Sequence, residues 1–266
     1  YSGAYPADSG HITGTLRSDI VLIDKILGGK VAMSDHRSSM PSTQAYASLA
    51  AEARIGGMLS GKAGVLHIHM GDGKRGLEPI LEILETTELP ISVFRPTHVN
   101  RNPMLYKQTI QFALQGGIID LTCGMTGSAI PVPQAVKQAL DAGVPLERLT
   151  LSSDGNGSMT NTQLVKDAHH DIEDDVGENH AVDSKIQYPE HKRQNTNVQH
   201  QSDQRVLHWN PDVADALKLE DKGRIAVGKD ADLIVWNDDL TLNKVFARGR
   251  LMVDKGQAVV KGTFEN

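Results

Sequence analysis

Residues 65–73 read VLHIHMGDG, an apolar run interrupted by two histidines and stopped by a Gly-Asp-Gly turn. A strand buried on both faces reads this way when only its tip meets water. The pattern recurs on either side. Lys30–Ser34, Ile91–Phe94, Ile118–Thr122 and Leu149–Ser152 are short apolar or β-branched runs that end in polar residues. Between them, Thr43–Leu59, Gly76–Glu85, Met104–Leu114 and Pro133–Leu140 carry Ala, Leu, Glu and Gln at helical spacing. Strands alternating with helices predict parallel βα units. A complete barrel of such units has eight strands in about 250 residues, so five units mean an open sheet or a barrel without its opening strands.

Polar strings gather at the ends of these strands: SDHR, HMGDG, PTHVNRN and SSDGNGS. In α/β barrels that rim builds the active site. His67 and His69, two apart on one strand, point the same way. By itself the pair fits a metal site and a hydrogen-bonded core pair equally well. His98 and Asp154 end later strands, and imidazoles meeting a carboxylate at one rim make a zinc site plausible chemistry. Lys30, at the start of a buried strand, must be neutralised, modified or paired; the plain account is a salt bridge to Asp35 or Asp154. Arg37 and Arg101 stand at or just past strand tips, where their forks suit carboxylates.

Beyond the βα units the character changes. Lys166–Arg205 has few apolar residues and no sustained period, and reads as a loop, insertion or disordered segment. Its histidines, His169, His170, His180, His191 and His200, are scattered among Gln, Asn and Asp and read as solvated. Order returns with a short helix over Asn210–Leu219. Strands follow over Asp232–Trp236, Lys244–Ala247, Arg250–Val253 and Ala258–Val260. The expected division is therefore 1–209 and 210–266.

Composition narrows the class. Hydrophobic residues are 39% and charged residues 23% of the 266, as in globular proteins. A net charge of -6 gives no footprint for nucleic acid or an anionic membrane. No apolar run reaches the ~20 residues of a membrane span, and no signal peptide opens the chain. One cysteine, Cys123, excludes an internal disulfide framework and points to a reducing compartment, hence the cytoplasm.

Taken in order, YSGAY (1–5), DIVLID (19–24), GGKVAMSDHRS (28–38), AGVLHIHMGDG (63–73), PTHVNRN (96–102) and TLSSDGNGS (150–158) resemble the signatures of the isoaspartyl dipeptidases, amidohydrolases of the (β/α)8 barrel type. GKDADLIVW and ARGRLMVDKGQAVVKGTFE resemble that family's C-terminal β-sandwich segment. The resemblance implies hydrolysis of β-aspartyl dipeptides by a hydroxide bridging two zinc ions. Lys30 would be the carbamylated lysine that bridges the ions. His69 and His98 would hold the second ion, and Asp154 would hold the first and shuttle a proton. Tyr5 would donate to the developing oxyanion, while Arg37, Arg101 and Ser158 would hold the substrate's carboxylates. His67 has no role in this scheme. The family's first-strand HxH and its early glutamate-bearing segment are not among these residues. The expectation is therefore a barrel lacking its first strands, with at most one zinc bound tightly and little activity from this chain alone. The family also implies a homo-oligomer. Two other readings compete: a dihydroorotase- or hydantoinase-like cyclic amide hydrolase, and a non-catalytic remnant of the fold.

Overall fold

The structure, a computed structural model, describes residues 1–8, 10–152, 204–206, 211–237 and 241–260. The chain divides into two compact units, Tyr1–Ala181 and Val182–Asn266. The boundary expected at 209/210 and most of the polar stretch 166–205 lie outside the described residues.

The first unit holds a parallel sheet of six strands in sequence order: β1 (Ser2–Gly3), β2 (Gly28–Met33), β3 (Val65–Met70), β4 (Phe94–Thr97), β5 (Ile119–Thr122) and β6 (Leu149–Ser152). Among the described residues β1 and β6 do not pair, so the sheet is not closed into a ring. Five of the strands are those expected from the apolar runs. β1 is additional: two residues beside Gly29 and Lys30 are too short to show a period. β4 differs from the expected Ile91–Phe94. Pro90 leads into a 3-10 turn over Ile91–Val93, and pairing of Leu66 with Phe94 starts the strand there.

Helices α1 (Leu16–Leu22), α2 (Thr43–Ser60), α3 (Glu78–Thr86), α4 (Pro103–Leu114) and α5 (Val132–Asp141) connect the strands. α2 opens on Ser42, whose hydroxyl accepts from the Ala45 amide, and closes on Gly61 in the left-handed region, φ 71°. The strands' Val31, Met33, Leu66, Ile68, Met70 and Leu121 form one core with Ile80, Ile83, Leu105 and Phe112 of the helices. This core buries one set of strand side chains and leaves alternate residues for the opposite face.

The second unit is a five-stranded antiparallel sheet in the order β11-β10-β9-β8-β7. Its strands are β7 (Gln204–Val206), β8 (Leu233–Asn237), β9 (Leu242–Ala247), β10 (Arg250–Asp254) and β11 (Gln257–Ala258), and its helix is α6 (Pro211–Ala216). β7 falls at the end of the stretch expected to lack order. It pairs with β8 through its backbone, which apolar periodicity does not report. Among the described residues no helix is long and apolar enough to cross a membrane.

One buried carboxylate anchors the start of the sheet. Asp19 on α1 accepts from the Ser2 hydroxyl, from the Thr13 hydroxyl and amide at 2.7 and 2.6 Å, and from the Ile12 amide at 3.0 Å. Burial opposes its ionisation, but these four donors outweigh it and hold the pKa at about 2. An unfolded aspartate titrates at about 3.9, so Asp19 stabilises the fold above that pH and ceases to as pH falls toward 2. Asp19→Asn is therefore expected to lower the denaturation midpoint at pH 7. The gap from wild type should narrow between pH 4 and pH 2, as followed by urea denaturation at each pH.

Candidate active site

The C-terminal rim of β2–β5 carries the polar cluster. In parallel register Lys30 lies opposite His67, and Ala32 opposite His69, so Lys30, His67 and His69 share one face of the sheet. The positive charge of Lys30 acts on His67, His69, His98 and Asp120, which places it among these groups. His67 stacks on Tyr1, with ring centroids 4.9 Å apart and planes 9° apart.

His69 and His98 meet edge to face with centroids 4.6 Å apart, and both are buried. His98 follows β4 in the left-handed backbone region at φ 63°, uncommon for residues other than glycine. Asn100, two residues on, ties this turn to β5. Its side-chain amide donates to the carbonyls of Thr122 and Ile130 at 3.1 and 2.9 Å, and its carbonyl accepts from the Thr122 amide at 2.9 Å. Burial is the main force that drives the His69 pKa down to about 4 and that of His98 to about 3. Both rings are therefore neutral at pH 7, the form in which imidazole binds metal.

Each ring has one nitrogen held from behind. His69 Nε2 lies 3.0 Å from Asp35 Oδ2, and its Nδ1 lies 3.1 Å from the Tyr5 hydroxyl. Arg37 Nη2 also lies 2.9 Å from His69 Nε2, so Asp35 and Arg37 together hold that nitrogen. Asp35 stays ionised because the Arg37 guanidinium holds its carboxyl well below the usual carboxylate range. Arg37 grips Asp35 through Nε and Nη2, each at 2.9 Å, and its Cζ lies 4.6 Å above the Tyr5 ring. His98 Nδ1 lies 2.8 Å from Thr122 Oγ1. Its Nε2 makes no hydrogen bond among the described residues.

The Gly71 and Gly73 backbones bring Asp35 to His69. A Cβ on Gly71 would lie 2.3 Å from the Ser34 carbonyl oxygen and 2.5 Å from Asp35 Cα; one on Gly73 would lie 2.6 Å from the same oxygen. Only glycine lets the turn after β3 lie against the turn after β2. Beside this contact opens a cleft of about 560 Å³ lined by Arg37, Asp72, Lys74, Arg75 and Arg101. Arg101 Nη1 reaches Asp72 at 3.7 Å, while its buried Nε has no hydrogen-bond partner among the described residues.

Of the residues singled out in the sequence, Tyr5, Arg37, His69 and His98 thus form one cluster. Lys30 acts on it from the same face, and Arg101 lines the adjoining cleft. Asp154 and Ser158 lie outside the described residues. Among the described residues no three His, Cys, Asp or Glu side chains converge as a ready metal site. Sequence reading missed Asn100, Thr122 and Asp120, whose parts depend on cross-strand register. Asp35 was noticed only as a partner for Lys30; its spacing of two from Arg37 was the available signal.

A parallel βα sheet with neutral imidazoles at its C-terminal rim is an arrangement that barrel-type hydrolases share. The family model described as "Amidohydrolase family" matches residues 130–259. A beta-aspartyl dipeptidase from the keratin-degrading thermophile Fervidobacterium islandicum AW-1, solved with the beta-Asp-Leu dipeptide, is 32% identical. That similarity covers 99% of this chain and 67% of the other, with a TM-score of 0.76. A second structure of a beta-aspartyl dipeptidase from that organism gives 31% identity, 99% and 66% coverage, and a TM-score of 0.74. A zinc-bound adenosine deaminase from Xanthomonas campestris shares the fold at 14% identity, with 88% and 53% coverage and a TM-score of 0.51. The chain belongs to the beta-aspartyl dipeptidase family of amidohydrolases, and it spans about two thirds of the length of the two Fervidobacterium relatives.

Gly71→Ala tests the backbone contact that delivers Asp35. Overpacking of this kind costs about 1–3 kcal/mol. The variant is expected to lose that much stability in urea denaturation; unchanged stability would show that the two turns are free to separate.

Proposed function

We propose that this protein hydrolyses β-aspartyl (isoaspartyl) dipeptides, with two zinc ions as cofactor. The observation that carries this reading is the neutral His69–His98 pair beside a cleft lined by Arg37 and Arg101. A β-aspartyl dipeptide has an amide next to two carboxylates, and the cleft beside the imidazoles is lined by two arginines that could receive them. A cyclic amide would need the imidazoles but not the arginines.

The donor chemistry fits zinc: two uncharged imidazoles, one with an unengaged Nε2 and one whose Nδ1 meets only a tyrosine hydroxyl. His69, His98, Asp154 and Lys30 as its carbamate would hold the ions. When bound, they would polarise the scissile carbonyl and lower the pKa of the attacking water.

The chain's own groups do the rest. Arg101 and Arg37 orient the substrate through its carboxylates, joined by Ser158. Arg37 also keeps Asp35 ionised against His69, so its two roles share one guanidinium. The Tyr5 hydroxyl, now on His69 Nδ1, turns to donate to the carbonyl oxygen as that oxygen gains negative charge. Asp154 accepts the proton from the attacking water and returns it to the leaving nitrogen as the C–N bond breaks. Aspartate and the second amino acid are released.

Hydrolysis of β-Asp-Leu, with α-Asp-Leu and dihydroorotate as comparisons, tests this reading. Whatever turnover this chain shows, small without the family's first-strand HxH, is expected with β-Asp-Leu alone; turnover of dihydroorotate alone would replace this reading with the cyclic amide reading. Arg101→Met should lower kcat/KM by about 100-fold, the loss of a charge-assisted contact of about 3 kcal/mol. Zinc content should be unchanged in that variant, and wild-type kcat/KM in it would remove Arg101 from substrate binding.

A further inference from the structure

His98 is connected to a carboxylate it does not touch. Asp120 on β5 lies half-buried beneath the rim and accepts from three hydroxyls: Thr97 Oγ1 and Ser152 Oγ, each 2.6 Å from Oδ2, and Thr150 Oγ1, 2.9 Å from Oδ1. Ser152 Oγ also lies 3.2 Å from Thr122 Oγ1, and Thr122 Oγ1 lies 2.8 Å from His98 Nδ1. A hydroxyl has one proton to give, so an ionised Asp120 at the end of this chain sets the direction of every bond in it. Ser152 donates its proton to Asp120 and can only accept from Thr122. Thr122 spends its proton on Ser152 and can only accept from His98. In that arrangement Nδ1 of His98 carries the ring's proton, and Nε2 keeps its lone pair.

We propose that Asp120, Ser152 and Thr122 form a positioning relay that fixes the tautomer of His98 and so presents Nε2 as its ligating nitrogen. Thr122 is 1% exposed and His98 5%, so little water reaches the bond between them, while Ser152 and Asp120 are half-buried. The relay crosses β4, β5 and β6, and ties the chemistry of one rim residue to the register of three strands. None of its members contacts substrate; each acts through His98. The consequence for metal binding rests on the zinc reading above, whereas the tautomer does not.

The test separates the two. Long-range proton–nitrogen NMR on metal-free protein labelled with 15N-histidine reads which nitrogen of His98 is protonated. Wild type is expected to show Nδ1–H with an unprotonated Nε2. Thr122→Val removes the acceptor and should shift His98 toward Nε2–H; Thr122→Ser should restore the wild-type spectrum. Ser152→Ala is the sharper variant, because it touches neither ring nitrogen. Without Ser152 to receive it, the Thr122 proton can turn to Nδ1, and the same shift toward Nε2–H should appear. Zinc affinity, from competition with a chelating dye, should fall about 10- to 100-fold in Thr122→Val and recover in Thr122→Ser. An unchanged His98 spectrum in Ser152→Ala, or Nε2–H already in wild type, would overturn the relay. Tautomer shifts in a protein that binds no zinc in any form would uphold the relay and refute the zinc reading.

Discussion

Burial of two uncharged imidazoles at the end of a parallel sheet is the constraint on which the site depends. An imidazole that protonates near neutral pH would repel a cation; His69 and His98 escape this because the rim excludes water from them. Burial then imposes its own demand, since a buried N–H must find an acceptor. Thr122 meets it for His98, while Asp35, Arg37 and Tyr5 engage the two nitrogens of His69. Each acceptor is itself held, Asp35 by Arg37 and Thr122 by Asn100 and Ser152. The rim is thus a set of neutral bases braced from behind by groups whose positions come from neighbouring strands.

These braces explain features that look costly in isolation. The left-handed backbone at His98 turns the chain sharply after β4 while keeping its ring beside His69. The Gly-Asp-Gly turn lets one strand's tip rest on another's backbone at a distance that any Cβ would prevent. Asp120 lies in surroundings that push its pKa up through burial, and hydroxyls of Ser152, Thr97 and Thr150 oppose that push. A carboxylate placed there for packing alone would be unfavourable. One that orders a chain of hydroxyls beneath a histidine has a physical reason to be there.

Much of this was legible in the sequence because buried parallel strands are so distinctive. VLHIHM, IDLT and LTLS could be read from their apolar character, and the polar strings after them marked the rim. What stayed hidden depended on pairing. β1 is two residues long, and β7 is held through its backbone partner. The start of β4 was displaced because apolar Ile91 and Val93 belong to a 3-10 turn that a run of apolar residues does not distinguish from a strand. Site residues divide the same way. Histidines and arginines announce chemistry by type, so Tyr5, Arg37, His69, His98 and Arg101 drew attention. Thr122, Ser152 and Asp120 are ordinary by type, and only register brings them under His98, whereas Asn100 follows His98 by two residues in the chain. The order of short signatures carried the family, and similarity to the Fervidobacterium dipeptidases agrees with it.

The zinc K-edge X-ray absorption spectrum of the zinc-loaded protein addresses the role of the two imidazoles most directly. Zinc held by His69 and His98 would show nitrogen neighbours at about 2.0–2.1 Å and the outer-shell scattering of imidazole rings. That scattering should diminish in His98→Ala and diminish again when His69 is also replaced. A first shell of oxygen alone, or imidazole scattering that survives both replacements, would place the metal elsewhere and contradict the assignment of this rim as the catalytic centre.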